Sequence, residues 1–121
     1  MSSFAGLAIV SPINIASPIS DVNPFHRVFA VNNAYGYSIL EFDVLTEYND
    51  VINAAKVRVN NRQVGVVEPS PNFFAAYTLI FANSVLRPGS APYNGNQDLN
   101  IVPIVGTLLQ VRNMRIQYQK T

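Results

Sequence analysis

Val57-Arg58-Val59-Asn60-Asn61-Arg62-Gln63-Val64-Gly65-Val66 reads as a β-hairpin. Valines alternate with polar residues on both sides of an asparagine pair. Asparagine tolerates the positive φ that a tight hairpin turn needs, so Asn60-Asn61 is the predicted tip. Gly65 inside the second arm predicts a bulge or a close backbone approach.

The same two-residue period extends outward in both directions. Upstream, Leu40, Phe42 and Val44 face one way while Ile39, Glu41 and Asp43 face the other. Before them Arg27 to Val31 predicts a short strand, with a turn over 32–36; the polar stretch 47–53 reads as a loop or one helical turn. Downstream, Pro69-Ser70-Pro71 ends the hairpin. Phe73 to Asn83 is apolar on both faces, with Phe73, Ala75, Tyr77, Leu79 and Phe81 on one and Phe74, Ala76 and Ile80 on the other. Its β-branched and aromatic content favours a strand, covered on both sides or meeting a partner. Leu86-Arg87-Pro88-Gly89 is a turn, and 90–98 predicts an exposed loop of turn formers. A strand over 99–105 carries Pro103, which places it at an edge or a bulge there. In the last strand Leu109 and Val111 share one parity and Met114, Ile116 and Tyr118 the other. The switch at Arg112-Asn113 is the mark of a one-residue bulge. Seven or eight such strands predict an all-β chain, a single antiparallel β-sandwich or jelly roll.

Residues 1–24 differ, with one charge, Asp21, and prolines at 12, 18 and 24. Proline restricts its own φ and keeps the preceding residue extended. Phe4, Leu7, Ile9, Val10, Ile13, Ile15 and Ile19 are too many apolar residues for a solvated linker. The expectation is an extended apolar N-terminal arm over 1–24 that packs on something, followed by a sandwich domain over 25–121; a first edge strand of the same domain is the other reading of the arm. No basic residue precedes Arg27, so a secretory signal is not expected and the apolar stretch is too broken for a membrane span.

The chain has 121 residues, enough for one domain with a core: its mass predicts roughly 6,500 Å² of folded surface. Without cysteine, and with His26 as the one histidine, disulfides, thiol catalysis and multi-histidine metal sites within one chain are excluded. A net charge of +1 argues against electrostatic capture of nucleic acid or anionic membrane. Charged residues make up only 12% of the chain against 49% hydrophobic, about half the usual charged share of roughly 25%. A surface largely in contact with other protein subunits has that composition.

Over 37–118 the order of features resembles galactose-binding-like and related jelly-roll modules. Val57-Arg58-Val59-Asn60-Asn61, Val64-Gly65, the aromatic run 73–81, Leu86-Arg87-Pro88-Gly89, Gln97-Asp98-Leu99-Asn100-Ile101 and the strand 111–118 carry the resemblance. Phage capsid-decorating (cement) proteins are similar in the same coarse sense. The resemblance implies a jelly-roll fold shared by sugar binders, enzyme appendages and virion proteins, and so leaves function open. The chain lacks the tryptophan of many sugar-binding members.

Candidate chemistry is sparse. His26 has no serine and acid at relay spacing. Glu41 and Asp43 project to one face, whereas glycosidase work needs carboxylates opposed across a cleft. Asn94, Asn96, Asp98 and Asn100 offer alternating oxygens without the bidentate glutamate a calcium loop uses. Arg112, Arg115 and Lys120 form the densest basic group, suited to salt bridges with a neighbour. The first expectation is therefore a non-enzymatic virion subunit without cofactor or metal, decorating or cementing a phage capsid. It would contact capsid or other assembly subunits through Phe4, Leu7, Ile9, Ile13, Ile15, Phe74 and Ile80, with a homo-oligomer, as a trimer, a natural option. The alternative is a carbohydrate-binding module using a loop of Tyr93, Asn94, Asn96 and Asp98; a small hydrolase comes third.

Overall fold

The computed structural model describes residues 4–11, 19–20, 22–47, 55–68, 73–104 and 107–121. Seven strands are formed among them: β1 (Gly6–Ser11), β2 (Phe25–Glu47), β3 (Ala55–Val59), β4 (Arg62–Val67), β5 (Ala75–Ala82), β6 (Tyr93–Pro103) and β7 (Leu108–Lys120), with a short 3-10 turn at Asn83–Val85. All pairings are antiparallel, in the order β1-β7-β2-β6-β3-β4, with β5 also on β2.

β2 makes this ladder a sandwich. Its first part pairs with β6, from Phe25 opposite Ile101 to Ala34 opposite Tyr93. Its second part lies between β5 and β7, with Leu40 opposite both Leu79 and Ile116. One layer is thus β5-β2-β7-β1 and the other β2-β6-β3-β4. The register shifts twice between the two parts, at 31–34 and 35–38, where Asn33 and Gly36 take φ of 54° and 66°. The segment 32–36, expected as a turn, bends the strand without reversing it. A Cβ at Gly36 would also lie 2.0 Å from Gln119 Oε1, the atom that accepts the Tyr37 amide at 2.8 Å.

Between the layers lie Leu40, Phe42, Val44, Val57, Val59, Leu99, Ile101, Leu109, Val111, Met114 and Ile116, all buried. These are the inward parities read from the sequence. The parity switch in β7 is a bulge: Glu41 faces Arg115 and Asp43 faces Arg112, and Asn113 between them has φ 56°. Gly65 meets both of its readings. Val57 pairs with Gly65 and Arg58 with Gln63, leaving one extra residue on β4, and a Cβ on Gly65 would sit 2.6 Å from Leu79 across the sandwich. Pro103 closes β6 beyond the last pair with β2, so only β3 flanks it. Total exposed surface is 6401 Å², as the mass predicts.

The N-terminal residues join the same body. Gly6–Ser11 lies along β7 as an edge strand, and Ile19, buried, exchanges backbone hydrogen bonds with Leu109 at 2.7 and 2.9 Å.

Val59 faces Arg62 across a two-residue turn, and Asn60 and Asn61 take φ of 50° and 68°. A β-branched residue in that conformation costs about 1–2 kcal/mol. In urea melts Asn61→Gly should match the parent within about 0.5 kcal/mol, and Asn61→Val should lose about 1–2 kcal/mol; equal midpoints for the two variants would refute the turn.

Candidate functional site

The sequence places a ligand loop at 90–98, and the structure corrects it. From Tyr93 onward the chain is strand, because Gly95, Asn96, Gln97 and Asp98 pair with Val31, Ala30, Phe29 and Val28 of β2. Pairing with a long neighbour overrides the turn preference of these residues. Tyr93 is only 8% exposed and lies in the core, so its ring is not offered for stacking. Asn94 accepts the Asn33 amide at 2.9 Å. Asn96 is exposed.

Asp98 belongs to a self-satisfied polar cluster around the hairpin tip. Arg87 Nη2 donates to Asp98 Oδ2 at 2.6 Å and to Asn60 Oδ1 at 3.0 Å. His26 Nε2 lies 3.2 Å from Asp98 Oδ1. Asn60 Oδ1 also accepts the Asp98 amide, while its Nδ2 donates to Val85 O and to Gln97 Oε1. The buried Gln97 in turn accepts the Arg87 amide at 2.9 Å. Asn60, legible from sequence only as a turn residue, is the rivet that fastens the β3–β4 turn to β6 and to the 83–87 segment. Its polar atoms are fully engaged.

The outer face of β5-β2-β7-β1 is different. Strand parity turns Tyr37, Ile39, Glu41 and Asp43 outward on β2 between Ala82, Ile80, Thr78 and Ala76 of β5 on one side and Gln117, Arg115 and Arg112 of β7 on the other. Arg115 Nη2 stands 3.6 Å from Glu41 Oε2, and Arg112 Nε 3.5 Å from Asp43 Oδ2. Of the basic group read as salt bridges to a neighbour, Arg112 and Arg115 stand beside acids of the same chain, and Lys120 has no such partner among the described residues. Both pairs stand at ion-pair distance, with no hydrogen bond closing them; Arg112 Nε is buried without one. Asp43 does accept Asn113 Nδ2 at 3.1 Å. Phe74 lies under Arg112, its ring centre 3.8 Å from the guanidinium carbon, and orients it. Tyr37, 54% exposed, supplies an open aromatic ring.

Two residues assigned to an assembly surface share this face, Leu7 (55% exposed) and Ile80 (62%). Gln117 joins them into one row, opposite Leu7 on one side and Ile39 on the other, with Ile80 next to Ile39. Phe74 is half-buried beneath Arg112, and Phe4 is exposed just before β1. The Ile9 backbone lies opposite Arg115; Ile13 and Ile15 fall outside the described residues.

No family model and no curated protein matches the chain. Solved structures do. The chain aligns over 99% of its length with 22% of a β-porphyranase of glycoside hydrolase family 86 from the human gut bacterium Bacteroides plebeius, at TM-score 0.66 and 18% identity. It therefore spans about a fifth of that protein. A family 29 carbohydrate-binding module complexed with mannohexaose aligns over 98% of this chain and 92% of its own, at TM-score 0.49 and 9% identity. A second structure of that module, complexed with cellulohexaose, gives 0.49 and 10% over 93% and 89%. At 18% identity and TM-score 0.66 the likeness to the β-porphyranase stretch is one of fold alone, and it supports the β-sandwich.

The charge of the hairpin-tip cluster can be tested by acid. The Arg87 hydrogen bond, with that of His26 behind it, holds the Asp98 carboxyl below the usual carboxylate range. A carboxylate lowered in the folded state adds stability above its unfolded pKa and loses it as pH falls through the folded value. Asp98→Asn should therefore melt below the parent at pH 7, and the gap should close as pH falls below about 4. A gap independent of pH would show that the cluster holds the turn without the charge.

Proposed function

We propose that the chain is a non-enzymatic carbohydrate-binding β-sandwich whose ligand lies on the outer face of β5-β2-β7-β1. One observation carries this reading: Glu41 with Arg115 and Asp43 with Arg112 set carboxylate acceptors beside guanidinium donors, 3.6 and 3.5 Å apart, on an open face. A sugar hydroxyl is donor and acceptor at once, and charged partners make its strongest hydrogen bonds. Tyr37 adds the exposed amphipathic ring against which the apolar side of a sugar packs.

The same geometry favours binding over cleavage. Glu41 and Asp43 lie two residues apart on one strand and point to the same side. Two-carboxylate hydrolysis needs acids flanking the scissile bond from opposite sides. A fold match to a stretch of a glycoside hydrolase is what an accessory binding unit would give. The capsid-decorating reading is the weaker one, because the fold likeness is to a stretch of a glycoside hydrolase. The carbohydrate-binding alternative named from the sequence is thus the one favoured, with its site moved from the 93–98 stretch to a sheet face.

On an immobilised-glycan panel the parent should bind at least one polysaccharide, with Tyr37→Ala and Arg115→Ala each weakening it about tenfold or more. Asp98→Asn, on the other layer, should stay within about twofold. Equal binding by all four proteins, or loss confined to Asp98→Asn, would place the ligand elsewhere.

A further inference from the structure

Resting on that reading of the sheet face, we infer that its ligand is an uncharged polysaccharide, gripped through neighbouring hydroxyls, and not a sulfated or uronic-acid chain. Four observations converge on this. Among the side chains described on the face, the acids and bases are Glu41, Asp43, Arg112 and Arg115, matched one to one across β2 and β7, so neither sign is in excess among them. An anionic group approaching either guanidinium would also meet Asp43 or Glu41 within a few ångströms, and the repulsion would weaken the attraction. A pair of adjacent hydroxyls needs the opposite arrangement, an acceptor and a donor side by side, so that one hydroxyl gives its proton to the carboxylate while the next accepts from the guanidinium.

The pairs are also left open to do this. At 3.5 Å Arg112 Nε makes no hydrogen bond, and at 3.6 Å Arg115 Nη2 stands just beyond hydrogen-bond reach of Glu41 Oε2. The Arg115 side chain is 51% exposed and that of Arg112 35%. Ala76 and Thr78, the β5 neighbours of Asp43 and Glu41, are small and exposed, which leaves the carboxylates accessible from that side.

Phe74 holds the Arg112 plane from below and acts as a positioning residue. From Tyr37 to Asp43 the face runs six residues along β2, roughly 20 Å at the rise of a strand. That is longer than one sugar ring. The ligand is a chain running across the face from the tyrosine to the Asp43–Arg112 pair.

Calorimetric titration of the intact protein tests this, with cellohexaose, mannohexaose and a neutral galactan as uncharged probes and polygalacturonate and dextran sulfate as anionic ones. Each is measured at about 50 and about 500 mM salt, a range over which Debye screening becomes severe. The expected result is binding to an uncharged probe, changed less than about twofold by salt. Glu41→Gln and Asp43→Asn, which keep shape and are checked for an unchanged thermal melt, should each weaken that binding about tenfold. Phe74→Leu should weaken it less, and Arg112→Lys should not restore what Arg112→Ala loses. Binding confined to the anionic probes, reduced by salt and tightened by Glu41→Gln or Asp43→Asn, would overturn the inference and leave a glycan site standing. Binding to neither class would overturn the glycan reading of the face itself.

Discussion

A seven-stranded ladder with one apolar face cannot bury that face until it closes on itself, and in this protein a single strand makes the closure. β2 is hydrogen-bonded first to β6 and then, past Asn33 and Gly36, to β5 and β7. Both bend residues adopt positive φ, which asparagine tolerates and glycine accepts without steric cost. The bend lets one strand contribute Phe29 and Val31 to one wall of the core and Leu40, Phe42 and Val44 to the other. Every other pairing hangs from it, including the placement of 37–43 on an open outer face.

The two layers use polar residues in opposite ways. Around the hairpin tip, Asn60, Gln97, Arg87 and Asp98 satisfy one another so completely that the cluster works as a fastening for loops that would otherwise leave buried amides unpaired. On the β5-β2-β7-β1 face the carboxylates and guanidiniums stand near one another without closing. Partly exposed ion pairs without a closing hydrogen bond contribute little to folding, and their alignment on one sheet face fits a role toward a ligand.

Features set by a few neighbouring residues are legible in the sequence. The Asn60-Asn61 tip follows from the φ those residues tolerate, and the β7 bulge from the parity change at Arg112-Asn113. Features set by distant partners are not. Asn32 to Gly36 reads as a turn because its residues are turn formers; whether such a segment reverses the chain or bends it depends on β6 and β7, far along the chain. Tyr93 to Asp98 reads as a loop for the same reason and is drawn into a strand by β2. The pairing of Glu41 with Arg115 and Asp43 with Arg112 is half visible. Outward acids on one alternating strand and outward bases on another are a signal, but register is settled only by the fold.

The central claim is that the outer face along β2 and β7 is the ligand surface. Backbone amide shift mapping by NMR during titration with an uncharged oligosaccharide tests it most directly. The account predicts perturbations confined to 37–43, 76–80 and 112–117, with the hairpin tip and 93–100 unmoved. Perturbations centred on 93–100 and Arg87, with 37–43 silent, would contradict it.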